Sequence, residues 1–194
     1  MKVEKIDIAW HSGLSIYASE KHLNLVGDEY GWLGGFDKSG KHRCILPYTI
    51  LHKGKIFRLV RFRVATIPLD EHFGLEDEKA FLNSAIKYFR TIGADMIIPA
   101  STNTIFHTYP DGAKAAPYGT FVIDLTKSEE QLWKELHSNH RNKVRSAMKK
   151  GMTVTNGIEY LDKAYELIRD TFKISKMGFM GYNEFKRLML GLND

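Results

Sequence analysis

Apolar and polar positions alternate through the first third of the chain and recur at helical spacing through much of the rest. Ile6, Ile8 and Trp10 alternate as in a strand, and Ser15 to Val26 has room for a short helix. Gly31 to Asp37 reads as a strand running into the hairpin turn Lys38 to Lys41. Arg43 to Leu51 and Ile56 to Thr66 are two more strands around His52 to Lys55, with Pro47 expected at an edge or bulge because it has no amide to donate. In the second of these, arginines and apolar residues share both faces, so one face should lie near solvent or a ligand. Glu76 to Ile92 switches to helical period, with Phe81, Ala85 and Phe89 on one stripe, Leu82 and Ile86 beside it, and Gly93 closing it. Asp95 to Pro99 reads as a short buried strand.

The next 18 residues, Ala100 to Pro117, have no period, and loops of that length are usually functional or mobile. Tyr118 to Leu125 is predicted as a strand. Thr126 and Glu129 then form a capping box that opens a helix stopped by Gly151. Met152 to Thr155 reads as a strand, Glu159 to Ser175 as an amphipathic helix, and Tyr182 to Leu192 as a last helix. That final segment is apolar enough to require a packing partner. Strands followed by helices make this an α/β chain of single-domain size.

Charge changes the picture at one place. The chain carries +5 net, and the segment Lys134 to Lys150, with six bases and Glu135, carries the same +5; outside it 22 bases face 22 acids. On a helical wheel Trp133, Leu136, Val144, Ala147 and Met148 cluster around His140 as a core stripe, which makes His140 a core-edge residue. Arg141, Arg145 and Lys149 follow at i, i+4 and i+8 on the flank, a cation ladder able to hold phosphates or carboxylates.

The remaining composition excludes several classes. A hydrophobic share of 43% and a charged share of 26% fit a globular protein, and no apolar run approaches the roughly 20 residues that cross a bilayer. Cys44 is the one cysteine, set between apolar neighbours as a buried strand thiol, and a cytoplasmic location follows most simply. The eight histidines show no metal-ligand spacing, and His107, His137 and His140 have no cysteine or acid at such spacing, so no metal is expected. No glycine-rich loop opens a helix after a strand, and no nucleophile elbow is present. Catalytic residues are not identified. Tyr109 and Tyr118, beside the long loop, are candidate walls for an acceptor.

The wording of the second half carries a resemblance. Tyr118-Gly-Thr-Phe-Val-Ile-Asp-Leu-Thr126, Leu132-Trp-Lys-Glu-Leu136, Asn139-His-Arg-Asn-Lys-Val-Arg-Ser-Ala147 and Lys149-Lys-Gly-Met-Thr-Val154 follow one another in order. Ile97-Ile-Pro99 precedes them, and Lys176-Met-Gly178 and Tyr182-Asn-Glu-Phe185 come after. Over roughly Asp95 to Leu192 this resembles the FemABX family of peptidoglycan cross-bridge aminoacyltransferases. Where that family commonly has Arg-x-Gly, this chain has Lys176-Met-Gly178, which keeps the charge and loses the bidentate fork.

The resemblance implies an α+β domain similar to the acyl-CoA N-acyltransferase fold, with a mixed, mostly antiparallel sheet flanked by helices over 1–157. It also implies a helical extension over 158–194 leading to a second domain. The expected activity is the acceptor-binding half of a transferase that moves an aminoacyl or acyl group onto an amine of a cell-wall or related anionic substrate, these residues alone being inactive. Arg141, Arg145, Lys149 and Lys176 would grip the anion. No cofactor is expected to stay bound, and aminoacyl-tRNA or acyl-CoA would be the donor. A second transferase domain or a homodimer partner would cover the apolar C-terminus. Two other readings compete: a module binding nucleic acid, such as tRNA, through the basic helix, and a non-catalytic interaction domain.

Overall fold

The computed structural model describes residues 1–54, 56–98, 105–116, 119 and 121–193. The chain divides into two compact units, one formed by Met1–Tyr118 with Gly181–Asp194 and the other by Gly119–Met180. This division groups the last helix with the first half of the chain, whereas the boundary read from sequence runs at 157.

The first unit is built on a mixed sheet. Strands β1 (Lys2–Ile6), β2 (Glu29–Phe36), β3 (His42–Lys53) and β4 (Phe57–Phe62) are antiparallel neighbours in that order. The short β5 (Ile67–Pro68) continues beside β3, and β6 (Met96–Ile98) joins β4 in parallel. The expected α+β architecture with a mostly antiparallel sheet is therefore present. β1 is shorter than the alternation implied, ending before Ile8 and Trp10, although Ile8 still packs on the core. β6 is an edge strand with Met96 58% exposed, not the buried strand expected.

Pro47 stands in the central strand β3, opposite Trp32 of β2, and not at a sheet edge. Its carbonyl accepts the Arg63 amide at 3.3 Å, and a strand residue directs its N and O to the same side. The missing N–H therefore faces the bend between β4 and β5, so the ladder with β2 loses no bond there.

Each sheet face has its own cover. Leu33, Cys44, Leu46, Tyr48, Ile50, Val60 and Phe62 meet Phe81, Leu82, Ala85 and Phe89 of α2 (Leu75–Thr91). The period read from sequence sets that contact, and burying each large side chain contributes about 1.5–3 kcal/mol. At the end of α2, Gly93 adopts φ +78° and Ala94 N–H reaches back to Phe89 O, closing the helix as expected. Gly35 lets this layer approach: a Cβ there would lie 2.6 Å from Cys44 Sγ and 2.7 Å from Phe81 Cδ2.

On the other face, α1 (Glu20–Val26) buries Leu23 against Trp32 and Ile45. A 3-10 turn, Ile16–Ala18, precedes it, so the expected Ser15–Val26 helix is split at Ser19, whose hydroxyl caps α1. The mixed pattern of β4 resolves here. Val60 and Phe62 face α2, while Arg63 beyond it donates to Thr49 Oγ1 at 2.9 Å and to Val26 O at 2.6 Å.

The last helix, α6 (Tyr182–Asn193), packs against α1, with Phe185 buried and Gly191 placed where a Cβ would meet Leu25 Cδ2 at 2.5 Å. The apolar C-terminal segment thus finds a packing surface inside its own unit. In the second unit, α3 (Glu129–Glu135), α4 (Ser138–Lys149) and α5 (Leu161–Ile174) follow one another, with a 3-10 turn at Ile158–Tyr160 opening α5. Neither strand expected there is present among the described residues. Phe121 to Leu125 and Met152 to Thr155 are irregular, because an apolar run becomes a strand only when another strand takes up its backbone groups.

Candidate functional site

The basic segment is two helices and not one. At Leu136 and His137 the backbone turns extended, ending α3 and starting α4. Ser128, not Thr126, caps α3 in a reciprocal box with Gln131, while Thr126 bonds back to Asp124. His137 caps α4 through Nδ1, which accepts the Asn139 amide at 3.3 Å. Gly151 ends α4 at φ +72°, as the sequence indicated.

This break decides what each rung of the ladder does. Arg141 Nη1 donates to Lys134 O at 2.9 Å and also to Leu136 O, so its guanidinium takes up free carbonyls at the end of α3. Arg145 lies 5.5 Å from the centre of the Trp133 ring and near Asn142. Lys149, in the last turn of α4, has no carboxylate partner among the described residues, and neither do Lys143, Arg145 or Lys150. Two of the three ladder cations are thus partly engaged in joining α3 to α4.

The expected core stripe is not buried: no residue of α3, α4 or α5 is, and Val144 and Met148 are 38% and 71% exposed. His140, expected at a core edge, is exposed. That stripe requires one continuous helix, and the kink at Leu136 takes Trp133 and Leu136 out of its register.

Lys176 follows α5 in the same unit. It occupies the left-handed region at φ 54°, the position where Met177 N–H returns to Phe172 O and closes the helix. Tyr165 and Phe172 of α5 meet Phe179, and Tyr165 donates to Met180 O at 3.1 Å, folding the following segment back. Tyr109 belongs to the first unit, and Tyr118 lies outside the described residues.

In the first unit, His107 and Asp111 of the aperiodic loop contact α2. Asn83 and Asp111 exchange two hydrogen bonds of 2.8 Å, and Lys79 pairs with Asp111 at 3.0 Å. That contact raises the Lys79 pKa and lowers that of Asp111. Glu78, 2% exposed, accepts the His107 amide at 3.0 Å, and the same oxygen stands 3.6 Å from His107 Nδ1. Tyr109, half exposed, stands on this anchored stretch.

Sequence reading passed over the Glu78 and His107 pair because 29 residues separate them. One signal was readable. Glu78 falls on the apolar stripe of Phe81, Ala85 and Phe89, where an unpartnered carboxylate would be costly. Cys44, on the same side of the sheet, is fully buried, and burial followed by the charge of Glu78 pushes its thiol up to about 12. It is a packing residue, as expected.

No family model matches this chain, and no curated protein matches it. Among solved structures, a tetramutant of the BH1408 protein from Bacillus halodurans is 9% identical with a TM-score of 0.31, over 70% of this chain and 67% of that one. A single-point mutant of the same protein is 8% identical, with the same score and coverage. A likeness of that size bears on neither fold nor function.

Proposed function

We propose that the chain is the acceptor-binding half of a FemABX-like transferase, which moves an aminoacyl or acyl group from aminoacyl-tRNA or acyl-CoA to an amine of a cell-wall or related anionic substrate. The observation that carries this reading is the acid-free helix α4, whose Lys143, Arg145 and Lys149 have no carboxylate partner among the described residues. Their order, from Asn139 through Ala147 to Lys149-Lys-Gly151, belongs to the stretch, roughly Asp95 to Leu192, that resembles that family. Anions are held by such groups through charge-assisted bonds. Arg145 and Lys149 are the principal contacts, Arg141 uses its remaining donors, and Lys176 adds a fourth cation.

Titration calorimetry of the full chain with a phosphorylated cell-wall precursor tests the reading. Arg145→Ala with Lys149→Ala should weaken binding by roughly tenfold or more, the usual scale of lost charged hydrogen bonds. Unchanged affinity would remove the proposal. The same helix could grip tRNA phosphates, and that alternative predicts affinity falling steeply with salt. Trp133 is already occupied by Arg145, which counts against base stacking.

A further inference from the structure

The arginines on either side of Phe62, at the end of β4, belong to none of the sites above. Arg61 stands opposite Thr49 in the β3–β4 register, so these two side chains share one face of the sheet. Arg63 reaches the same Thr49, its Nε lying 2.9 Å from Oγ1, and its Nη2 donates to Val26 O of α1 at 2.6 Å. Both arginine side chains therefore leave the sheet on the α1 side, from Cα atoms roughly 7 Å apart, the advance of two strand residues.

Both are half-buried, and neither has a carboxylate partner among the described residues. Arg63 is held by two neutral oxygens, and the Arg61 guanidinium makes no hydrogen bond among those residues. Burial first, and then the charge of Arg61, brings the Arg63 pKa down to about 10, since both disfavour the cation. The acids of α1 and of its connection to β2 are committed elsewhere. Glu20 accepts the Tyr30 hydroxyl at 2.7 Å, Asp28 accepts the His52 amide at 2.7 Å, and Glu29 pairs with Arg58 at 3.1 Å. Arg63 alone would serve to cap the end of α1. Arg61 beside it adds a repulsion from which the fold by itself gains nothing.

His22 of α1 feels the same charge. It is 7% exposed, its Nδ1 has no partner among the described residues, and Tyr17 packs edge-on against its ring at 5.0 Å. Burial, and then Arg63, oppose a proton on that ring. Buried polar atoms without a partner are rare in native folds, and an anion beside Arg63 would offset its opposition to the proton.

We propose that Arg61 and Arg63 hold a phosphate group of a small molecule on the α1 side of the sheet, with His22 beside it. Two guanidinium cations match the charge of about −1.5 to −2 that a phosphate monoester carries at neutral pH, whereas one carboxylate would balance only one of them. Arg61 offers its whole fork, and Arg63 has Nη1 without a partner among the described residues. Guanidinium forks meet phosphate oxygens in pairs. All of these groups belong to the first unit, so the inference rests neither on the transferase reading nor on the cations of α4.

Inorganic phosphate is the probe, added to the full chain carrying Arg145→Ala with Lys149→Ala to weaken any binding at α4. Sodium chloride at matched ionic strength is the reference. The NMR signals of the Arg63 Nε–H and of the His22 ring should shift saturably at millimolar phosphate and stay in place with sodium chloride. Arg61→Gln should fold with an undiminished melting temperature, because that guanidinium bonds nothing among the described residues. It should raise the dissociation constant about tenfold, the usual scale of a lost hydrogen bond to a charged group, and Arg61→Lys should restore part of the affinity. Phosphate should also raise the melting temperature of the parent more than that of Arg61→Gln. Signals that do not move, or that move equally with sodium chloride, overturn the inference. An unchanged dissociation constant in Arg61→Gln overturns it as well, as does acetate binding as tightly as phosphate.

Discussion

Arg141 Nη1 lies 2.9 Å from the main-chain oxygen of Lys134, seven residues earlier and in the preceding helix. The contact joins α3 to α4 across their kink. An intramolecular hydrogen bond contributes about 1 kcal/mol net. Arg141→Ala should therefore raise the hydrogen-exchange rate of the Leu136 amide, which bonds Leu132 O in the last turn of α3, by roughly fivefold. Unchanged exchange would mean that the guanidinium is not what holds the joint.

Gly35 separates β2 from the α2 layer by less than a methyl group. Because its Cβ would meet Cys44 Sγ at 2.6 Å and Phe81 Cδ2 at 2.7 Å, Gly35→Ala should cost about 1–3 kcal/mol by overpacking. Urea denaturation followed by tryptophan fluorescence would show it. The double variant Gly35→Ala with Cys44→Ala should recover part of the loss if the clash is the cause.

His22 makes stability depend on pH. It is buried on α1 with Nδ1 unpartnered among the described residues, and burial first, then the Arg63 cation, lowers its pKa below the ordinary 6.5. The unfolded chain therefore takes the proton more readily than the folded one. This contribution to stability is complete above about pH 6.5 and is lost as pH falls from there through the folded pKa. Comparing urea midpoints at pH 7.5 and 5.5 checks it: wild type should lose more between the two than His22→Leu.

Lys176 occupies backbone space that glycine takes without cost. A non-glycine residue at φ 54° costs roughly 1 kcal/mol in that region. Lys176→Gly should therefore stabilise the end of α5 by about that amount, seen as slower exchange of the Met177 amide that bonds Phe172 O. If the transferase reading holds, the same substitution weakens precursor binding, so the two measurements move in opposite directions.

Local rules accounted for most of the first unit. Period-2 and period-3.6 patterns located β2, β3, β4 and α2, and Gly93 and Gly151 end their helices as expected, each in the left-handed region that a residue without a Cβ enters freely. They failed where the outcome depended on a distant neighbour. Phe121 to Leu125 has strand composition without a strand beside it among the described residues, and Lys134 to Lys150 has helix composition with a break at Leu136. The candidate site divides the same way. Clustering of cations on α4 was visible in the chain, whereas the commitment of Arg141 to α3 and the meeting of Glu78 with His107 were not.

The sequence by itself determined which segments could form strands and helices, where helices stop, that Cys44 would be buried, and that positive charge would gather on one stretch. Each depends on residues a few positions apart. Only the tertiary structure decided that Pro47 belongs in a central strand, that α6 returns to cover α1, and that a buried carboxylate stands behind His107. Those outcomes depend on which distant groups become neighbours, and it is the neighbour that supplies the missing hydrogen bond, the apolar contact or the opposing charge.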